Sequence, residues 1–240
     1  MPTLLAIETS SEIASAALLH EGQCHHLSAS GVQNHSQHIL PMVQELLRNA
    51  NLRIEQCDAI VFGAGPGSFT GVRTACGIAQ GLGFAAKRPL LPVITLAAMA
   101  QACLVQRATA ATFDVLAVLD ARMNQVYWAQ YRWQDGAWQT LQAPTLSNPA
   151  DVVAEGQPYL CGNGLDGYAL PQLAALLAQA GQRIVEVQVP MADAMAQLAL
   201  TAFQQGQAIA AEHAQPLYLR NKIAYTSAER AAGMQPKAGT

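Results

Sequence analysis

Charge is what this sequence is shortest of. Of its 240 residues, 12% are Asp, Glu, Lys or Arg, while 51% are hydrophobic; an average soluble domain carries roughly 25% charged residues. A chain so poor in charge and so rich in apolar side chains is not disordered along its length. It holds 13 Lys plus Arg against 16 Asp plus Glu, a formal net charge of −3. No basic block exceeds Lys87-Arg88, which argues against an autonomous nucleic-acid groove. Long apolar runs are missing too. Pro92 and Thr95 interrupt the richest stretch, Leu90 to Met99, which falls short of the roughly 18 to 20 residues that cross a bilayer. No basic region opens the chain, and the apolar Leu4 to Ile7 run straight into Glu8. That is the pattern of a first strand rather than a signal peptide, and the expected location is the cytoplasm. The five cysteines are odd in number and scattered, with no C-x-x-C pair. This argues against a disulfide framework and a structural zinc, and predicts free thiols.

What is present is a mixed α/β pattern. Thr3 to Glu8, Ala14 to His20 and Gln23 to Ser28 read as an antiparallel meander with turns at Thr9 to Glu12 and at Glu21-Gly22. From His35 to Ala50 the apolar positions Ile39, Met42, Val43, Leu46 and Leu47 fall at helical spacing. Pro41 is expected to bend that helix or lie in its first turn. Ala59 to Phe62 reads as a buried strand, Gly63 to Gly71 as a loop, Val72 to Ala86 as a second helix and Leu90 to Ile94 as another strand. The run Leu5-Ala6-Ile7-Glu8 then recurs as Ala117-Val118-Leu119-Asp120 about 112 residues later. Each run ends in an acid, and each is followed by a short turn and an alternating strand, the second being Val126 to Trp133 with Asp135-Gly136 closing the next hairpin. Two copies of one hairpin-led lobe are implied. A strand at Tyr159 to Cys161 and helices at Leu170 to Ala180 and Ala192 to Gln205 complete the second copy. The expected division is 1–105 and 106–210 for the two lobes, 211–227 for a segment returning to the first, and 228–240 for a polar, disordered tail.

The loop from Gly63 to Arg73 follows a strand and opens a helix, where backbone N–H groups and a helix N-terminus can receive an anion. It is not a Walker A loop, because no Lys follows its last glycine. The dinucleotide fingerprint fails because Gly63-x-Gly65 continues to Ser68 and the later acidic position carries Lys87-Arg88. Pro66 stands where a nucleophile elbow around Ser68 would need its first glycine. Two readings remain open: a tight strand-to-helix corner capped by Thr70, or a ligand loop with Gly65, Gly67, Ser68 and Arg122 as candidate anion or nucleotide contacts. His35 and His38 share a helix face but lack a third partner, so no metal site is assigned. Glu8 and Asp120 end equivalent strands where an actin-like phosphotransferase would hold metal-bound phosphate. The turns after them are Thr9-Ser10 and Ala121-Arg122, where close approach of phosphate would favour glycine. Structural salt bridges are the alternative role for the two acids.

These residues together, Ile7 to Ser10, His35 to Pro41, Gly63 to Arg73, Leu119 to Met123 and Glu212 to Asn221, closely resemble the TsaB (YeaZ) family, whose members take part in threonylcarbamoyladenosine modification of tRNA. The likeness is strong to about residue 133, weak from there to about 210, and returns through Asn221. It implies an actin-like ATPase (ASKHA) fold of two ribonuclease-H-like lobes, the second degenerate. It further implies a noncatalytic subunit that binds a catalytic paralogue, TsaD, and an ATPase, TsaE. Such a subunit would form a homodimer when alone and meet tRNA only through the complex. No cofactor of its own is implied beyond ATP or ADP at the complex interface. Catalytic members carry H-x-x-x-H, and His35-x-x-His38 is one residue short. The partner-binding surface is expected on the helix pair His35 to Ala50 and Thr70 to Ala86, through His35, His38, Met42, Val43, Leu46, Thr74, Gly77 and Gly81. Glycines at 77, 81 and 83 cost the second helix about 1.5 to 3 kcal/mol relative to alanine, which close packing should offset. Whether that packing is against this chain's own sheet or a partner is left open by the spacing. The enzyme-class rival is an autonomous actin-like ATPase or small-molecule kinase. A metalloprotease would need ligands that are absent from the sequence.

Overall fold

The computed structural model describes residues 1–31, 35–107, 112–166, 169–180 and 183–220. The expected tail, 228–240, and the end of the returning segment lie outside the described residues. The chain opens with the predicted meander, β1 (Leu4–Glu8), β2 (Ile13–His20) and β3 (Gln23–Ser30), then α1 (His35–Asn49), β4 (Ala59–Gly65), α2 (Phe69–Ala86), β5 (Leu90–Ile94) and α3 (Thr95–Arg107). The plan repeats in a second meander of β6 (Thr112–Asp120), β7 (Val126–Gln134) and β8 (Ala137–Ser147), followed by β9 (Tyr159–Cys161), α4 (Leu170–Ala180) and α5 (Ala192–Gln204). Strand order is β3-β2-β1-β4-β5 in one sheet and β8-β7-β6-β9 in the other. In each, the first strand pairs antiparallel with the second and parallel with the fourth. This duplication is the actin-like ATPase architecture of two ribonuclease-H-like lobes. The second lobe is the degenerate one: where the first has a fifth strand, parallel to β4, the described residues of the second show a single parallel bridge, Leu160 to Ile184.

Alternation along the strands decides what each sheet face covers. On β1, Leu5 and Ile7 join α1 and α2 in one core, while Leu4 and Ala6 join Met195, Ala196 and Ala199 of α5 in another. On β6, Val115, Ala117 and Leu119 meet Leu96, Met99 and Cys103 of α3, while Leu116 and Val118 face Leu165, Ala169 and Leu173. The layers therefore run α1 and α2, first sheet, α5 and α3, second sheet, α4. Two helices trade places relative to the chain order. α3, within the span 1–105 apart from its last turn, packs on the second sheet, and α5, within 106–210, lies under the first. The expected boundaries cut across this packing. The N-terminus of α5 is fixed by the first lobe, since the Ala192 N–H donates to Ser15 Oγ at 3.0 Å.

Several elements differ from the expected ones. β4 runs through Gly65 and α2 starts at Phe69, so only Pro66, Gly67 and Ser68 of the glycine loop lie outside regular structure. The cap of α2 is Ser68, whose hydroxyl accepts from the Gly71 N–H at 3.4 Å, and not Thr70, which lies inside the first turn. α3 carried no signal because it is alanine-rich and buried on more than one side, against both the second sheet and α5. All five cysteines are free, as expected.

Candidate functional site

The two acid-ended strands bring their turns to one interlobe cleft of about 410 Å³, lined by Ser10, Gly67, Ser68, Asp120, Arg122 and Arg220 among others. In both lobes the acid closes its own turn: Glu8 Oε1 accepts from the Ser10 N–H, and Asp120 Oδ1 accepts from the Arg122 N–H at 2.7 Å. The surroundings differ. Glu8 is fully buried, and burial pushes its pKa up to about 7, against lowering by hydrogen bonds from Ser10 and Thr9. Its Oε2 faces Gly63 so closely that a Cβ there would lie 1.8 Å away. Asp120 is partly exposed and pairs with Arg122 Nη1 at 3.1 Å. The salt-bridge role expected for the acids thus holds for Asp120 alone.

The glycine loop is pressed against the Thr9-Ser10 turn. The Ser68 N–H donates to Ser10 O at 2.7 Å, and Thr9 Oγ1 donates to Gly71 O at 2.7 Å. A Cβ at Gly71 would sit 1.9 Å from Thr9 O, and one at Gly67 would sit 2.6 Å from Ser10 Cβ. Close approach, the service glycine performs for phosphate in other loops, is used here to seat one turn on another. Of the four candidate anion contacts, Gly67, Ser68 and Arg122 line the cleft. Gly65 does not; it lies at φ +105°, where a Cβ would be 3.0 Å from Leu217 O.

On the second-lobe wall, Arg122, Met123 and Asn124 all have left-handed backbones, with φ of 61°, 55° and 56°. For side-chain-bearing residues this conformation costs roughly 1 to 2 kcal/mol each, and consecutive instances are rare. The turn is held by Ala121 N–H to Gln125 O at 3.0 Å and by Arg220, whose Nη2 donates to Ala121 O at 3.0 Å and to Gln125 Oε1 at 2.9 Å. Asn163 joins the lobes, accepting from the Asp120 N–H at 3.0 Å and donating to Glu12 Oε1 at 3.4 Å. Ser10, Asn163, Tyr218 and Arg220 had no role assigned from the residues. For Tyr218 and Arg220 the alternation Tyr218-Leu219-Arg220, which puts two large polar heads two residues apart, is a signal that could have found them; Ser10 and Asn163 carry none.

The residues expected on the partner face divide. Met42, Val43 and Leu46 are packed in the first lobe's own core, because the apolar stripe of α1 is what binds it to the sheet. His35 is buried as well. They are not surface residues, and the exposed face of α1 consists instead of His38, Leu40, Pro41, Gln44 and their neighbours. On α2 the outward face is the expected one: Gly77 and Gly81 are exposed, with nothing within 4 Å of a Cβ at either, and Thr74 is partly exposed beside them. That settles the open question of whether these two glycines pack on the sheet; they do not. Gly83 does, since a Cβ there would lie 2.7 Å from Leu90 Cδ2. Phe84 stands 81% exposed near the end of the same helix. Among the described residues no cluster of three or more His, Cys, Asp or Glu could hold a metal, and no helix is long and apolar enough to cross a membrane.

The family model described as TsaD, tRNA N6-adenosine threonylcarbamoyltransferase, matches residues 19–238. The tRNA threonylcarbamoyladenosine biosynthesis protein TsaB of Escherichia coli (strain K12) is 39% identical over 230 residues, covering 92% of this chain and 96% of its own. That of Haemophilus influenzae (strain ATCC 51907 / DSM 11121 / KW20 / Rd) is 36% identical over 234 residues, covering 93% and 95%. The solved structure of YeaZ from Pseudomonas aeruginosa superposes with a TM-score of 0.79 at 36% identity, over 91% of this chain and 100% of that one.

Proposed function

Since the chain belongs to the TsaB family, within the wider group matched by the TsaD model, we propose that it serves tRNA threonylcarbamoyladenosine formation as a noncatalytic subunit. It binds and organises the catalytic paralogue TsaD and the ATPase TsaE in the cytoplasm, and meets tRNA through that complex. The observation that carries this reading is the open face of α2. Two helix-interior glycines have no packing partner in this chain, although each costs roughly 0.5 to 1 kcal/mol relative to alanine. A helix that comes close across Thr74, Gly77 and Gly81 accounts for them, with His38, Leu40 and Phe84 at the margin. The same face serves a second copy of the chain when the partner is absent, and the homodimer exchanges for the heteromer.

A noncatalytic role is supported by the cleft. The turn after Glu8 is filled by the glycine loop, and Glu8 is buried at the position where a phosphotransferase would keep an ionised carboxylate. Any ATP or ADP bound by the complex would meet Gly67, Ser68 and Arg122 at the rim of this cleft. The isolated chain is expected to show no ATP turnover; turnover abolished by Glu8→Ala or Asp120→Ala would favour the ATPase or kinase alternative.

The test is Gly81→Leu, read by sedimentation for the homodimer and by copurification with the TsaD of the same source. The fold should be spared because the added side chain points into open space. Self-association and TsaD binding should each weaken at least tenfold. A folded variant with unchanged affinity for both would overturn the assignment.

A further inference from the structure

The segment after α5 crosses the cleft in the space of four residues. Leu217 belongs to the first lobe, its N–H donating to Ala64 O of β4 at 2.7 Å. Tyr218 belongs there too: its ring lies 5.6 Å from that of Phe69, and its hydroxyl accepts from Arg73 Nε at 2.8 Å. The Arg73 guanidinium in turn covers the Phe69 ring at 3.7 Å. Arg220 belongs wholly to the second lobe. Its Nη2 reaches Ala121 O, Gln125 Oε1 and, at 3.4 Å, Arg122 O; its Nη1 reaches Met123 Sδ; and it lies by the Tyr127 hydroxyl, whose pKa burial raises and Arg220 pulls back.

We propose that Arg220 is an interlobe clasp: by gripping the left-handed turn Arg122–Asn124 while Leu217 and Tyr218 grip β4 and α2, it holds the cleft closed. Three residue steps of extended chain reach at most roughly 10 to 11 Å. The lobes therefore separate at this mouth only if one of the two grips lets go. The first-lobe grip is a strand-like hydrogen bond reinforced by an aromatic and cationic stack. The second is a single side chain holding a turn in a left-handed backbone that carries strain, so losing the clasp lets the turn relax. A fork of donors is needed for this, because the acceptors Ala121 O and Gln125 Oε1 are engaged from one nitrogen while the other reaches Met123. Lysine, with one ammonium on a flexible stem, does not span that set. Among the described residues, the other side-chain hydrogen bond across the mouth, Asn163 to Glu12 at 3.4 Å, is exposed and weak.

The experiment compares the full-length wild type with Arg220→Ala and Arg220→Lys by amide hydrogen exchange and small-angle X-ray scattering. In Arg220→Ala the amides of Ala121 and Gln125 should exchange at least tenfold faster, and the radius of gyration should rise. Amides in the centre of β2 should keep their rates, and Arg220→Lys should fall between the two. Wild-type exchange in the turn would overturn the proposal. So would a loosened turn with an unchanged scattering profile, since Arg220 would then be a local brace and not a clasp. If Arg220→Ala does not fold, Gln125→Ala removes one acceptor from the far side and is read in the same way: faster exchange with expansion supports the clasp, and either without the other overturns it.

Discussion

The two lobes start from one plan and spend their terminal acid differently. In the first, Glu8 is sealed between β1, the glycine-bearing β4 and the Thr9-Ser10 turn, with no cation paired to it among the described residues. In the second, Asp120 stays partly wet and neutralises Arg122. Both close a turn by accepting an N–H two residues on. The comparison teaches that the piece of geometry the two lobes share is the turn, while the surroundings of the carboxyl differ. Burial raises the pKa of Glu8, whereas Asp120 sits partly exposed against a guanidinium.

The strongest way to break this comparison is to add one methyl group where each lobe's glycine packs most tightly on its own backbone. Gly71→Ala would drive a Cβ to 1.9 Å from Thr9 O, and Gly162→Ala would drive one to 1.9 Å from Val118 O at a φ of +114°. Neither obstacle is a flexible chain end, so each should cost about 3 kcal/mol or more in urea unfolding. Near-neutral results would mean that the turns move easily.

Next comes pH. The folded pKa of Glu8, about 7, lies above its ordinary value of 4.5, so the folded state holds a proton that the unfolded chain releases. Stability from this group is full below about pH 4.5 and is lost as pH rises to about 7, by roughly 3 kcal/mol. Glu8→Gln should therefore match the wild type near pH 4.5 and exceed it by about that amount at pH 8. A pH-independent difference would show that Glu8 stays ionised. Smaller and again stabilising, Gly77→Ala with Gly81→Ala should raise stability by about 1 to 2 kcal/mol in total when unfolding is followed at a concentration where the chain is monomeric, since only helix propensity then changes on an open face. Smallest of all, Asp120→Asn should cost under about 1 kcal/mol, because Arg122 is mostly in solvent and the amide oxygen can still close the turn. A larger loss would mean that the charge of Asp120, and not only its oxygen, holds the turn.

Much of this was legible in the residues. The repeated strand and acid announced two lobes, whereas the row of small side chains on α2 announced a close contact but not which way it faces, which only the packing decides. The heptad-like stripe of α1 was equally plain, but an apolar stripe marks whatever the helix packs on, and here that is its own sheet. Met42, Val43 and Leu46 were thus visible as contacts and misread as to partner. α3 was invisible because a helix buried between two layers shows no polar face. The role of Arg220 depends on a backbone conformation at Arg122 to Asn124 that no local pattern requires.

The exchange of α3 and α5 between lobes bears on how the protein is made. During synthesis, the face of the first sheet that carries Leu4, Ala6, Leu91 and Val93 has its strands in hand once Ile94 has emerged, yet its cover ends at Gln204. At roughly 5 to 20 residues per second this greasy surface waits on the order of ten seconds for its lid. A ribosome stalled anywhere within the second meander leaves a nascent chain whose first lobe is open underneath. Neither half, expressed by itself, is a finished product.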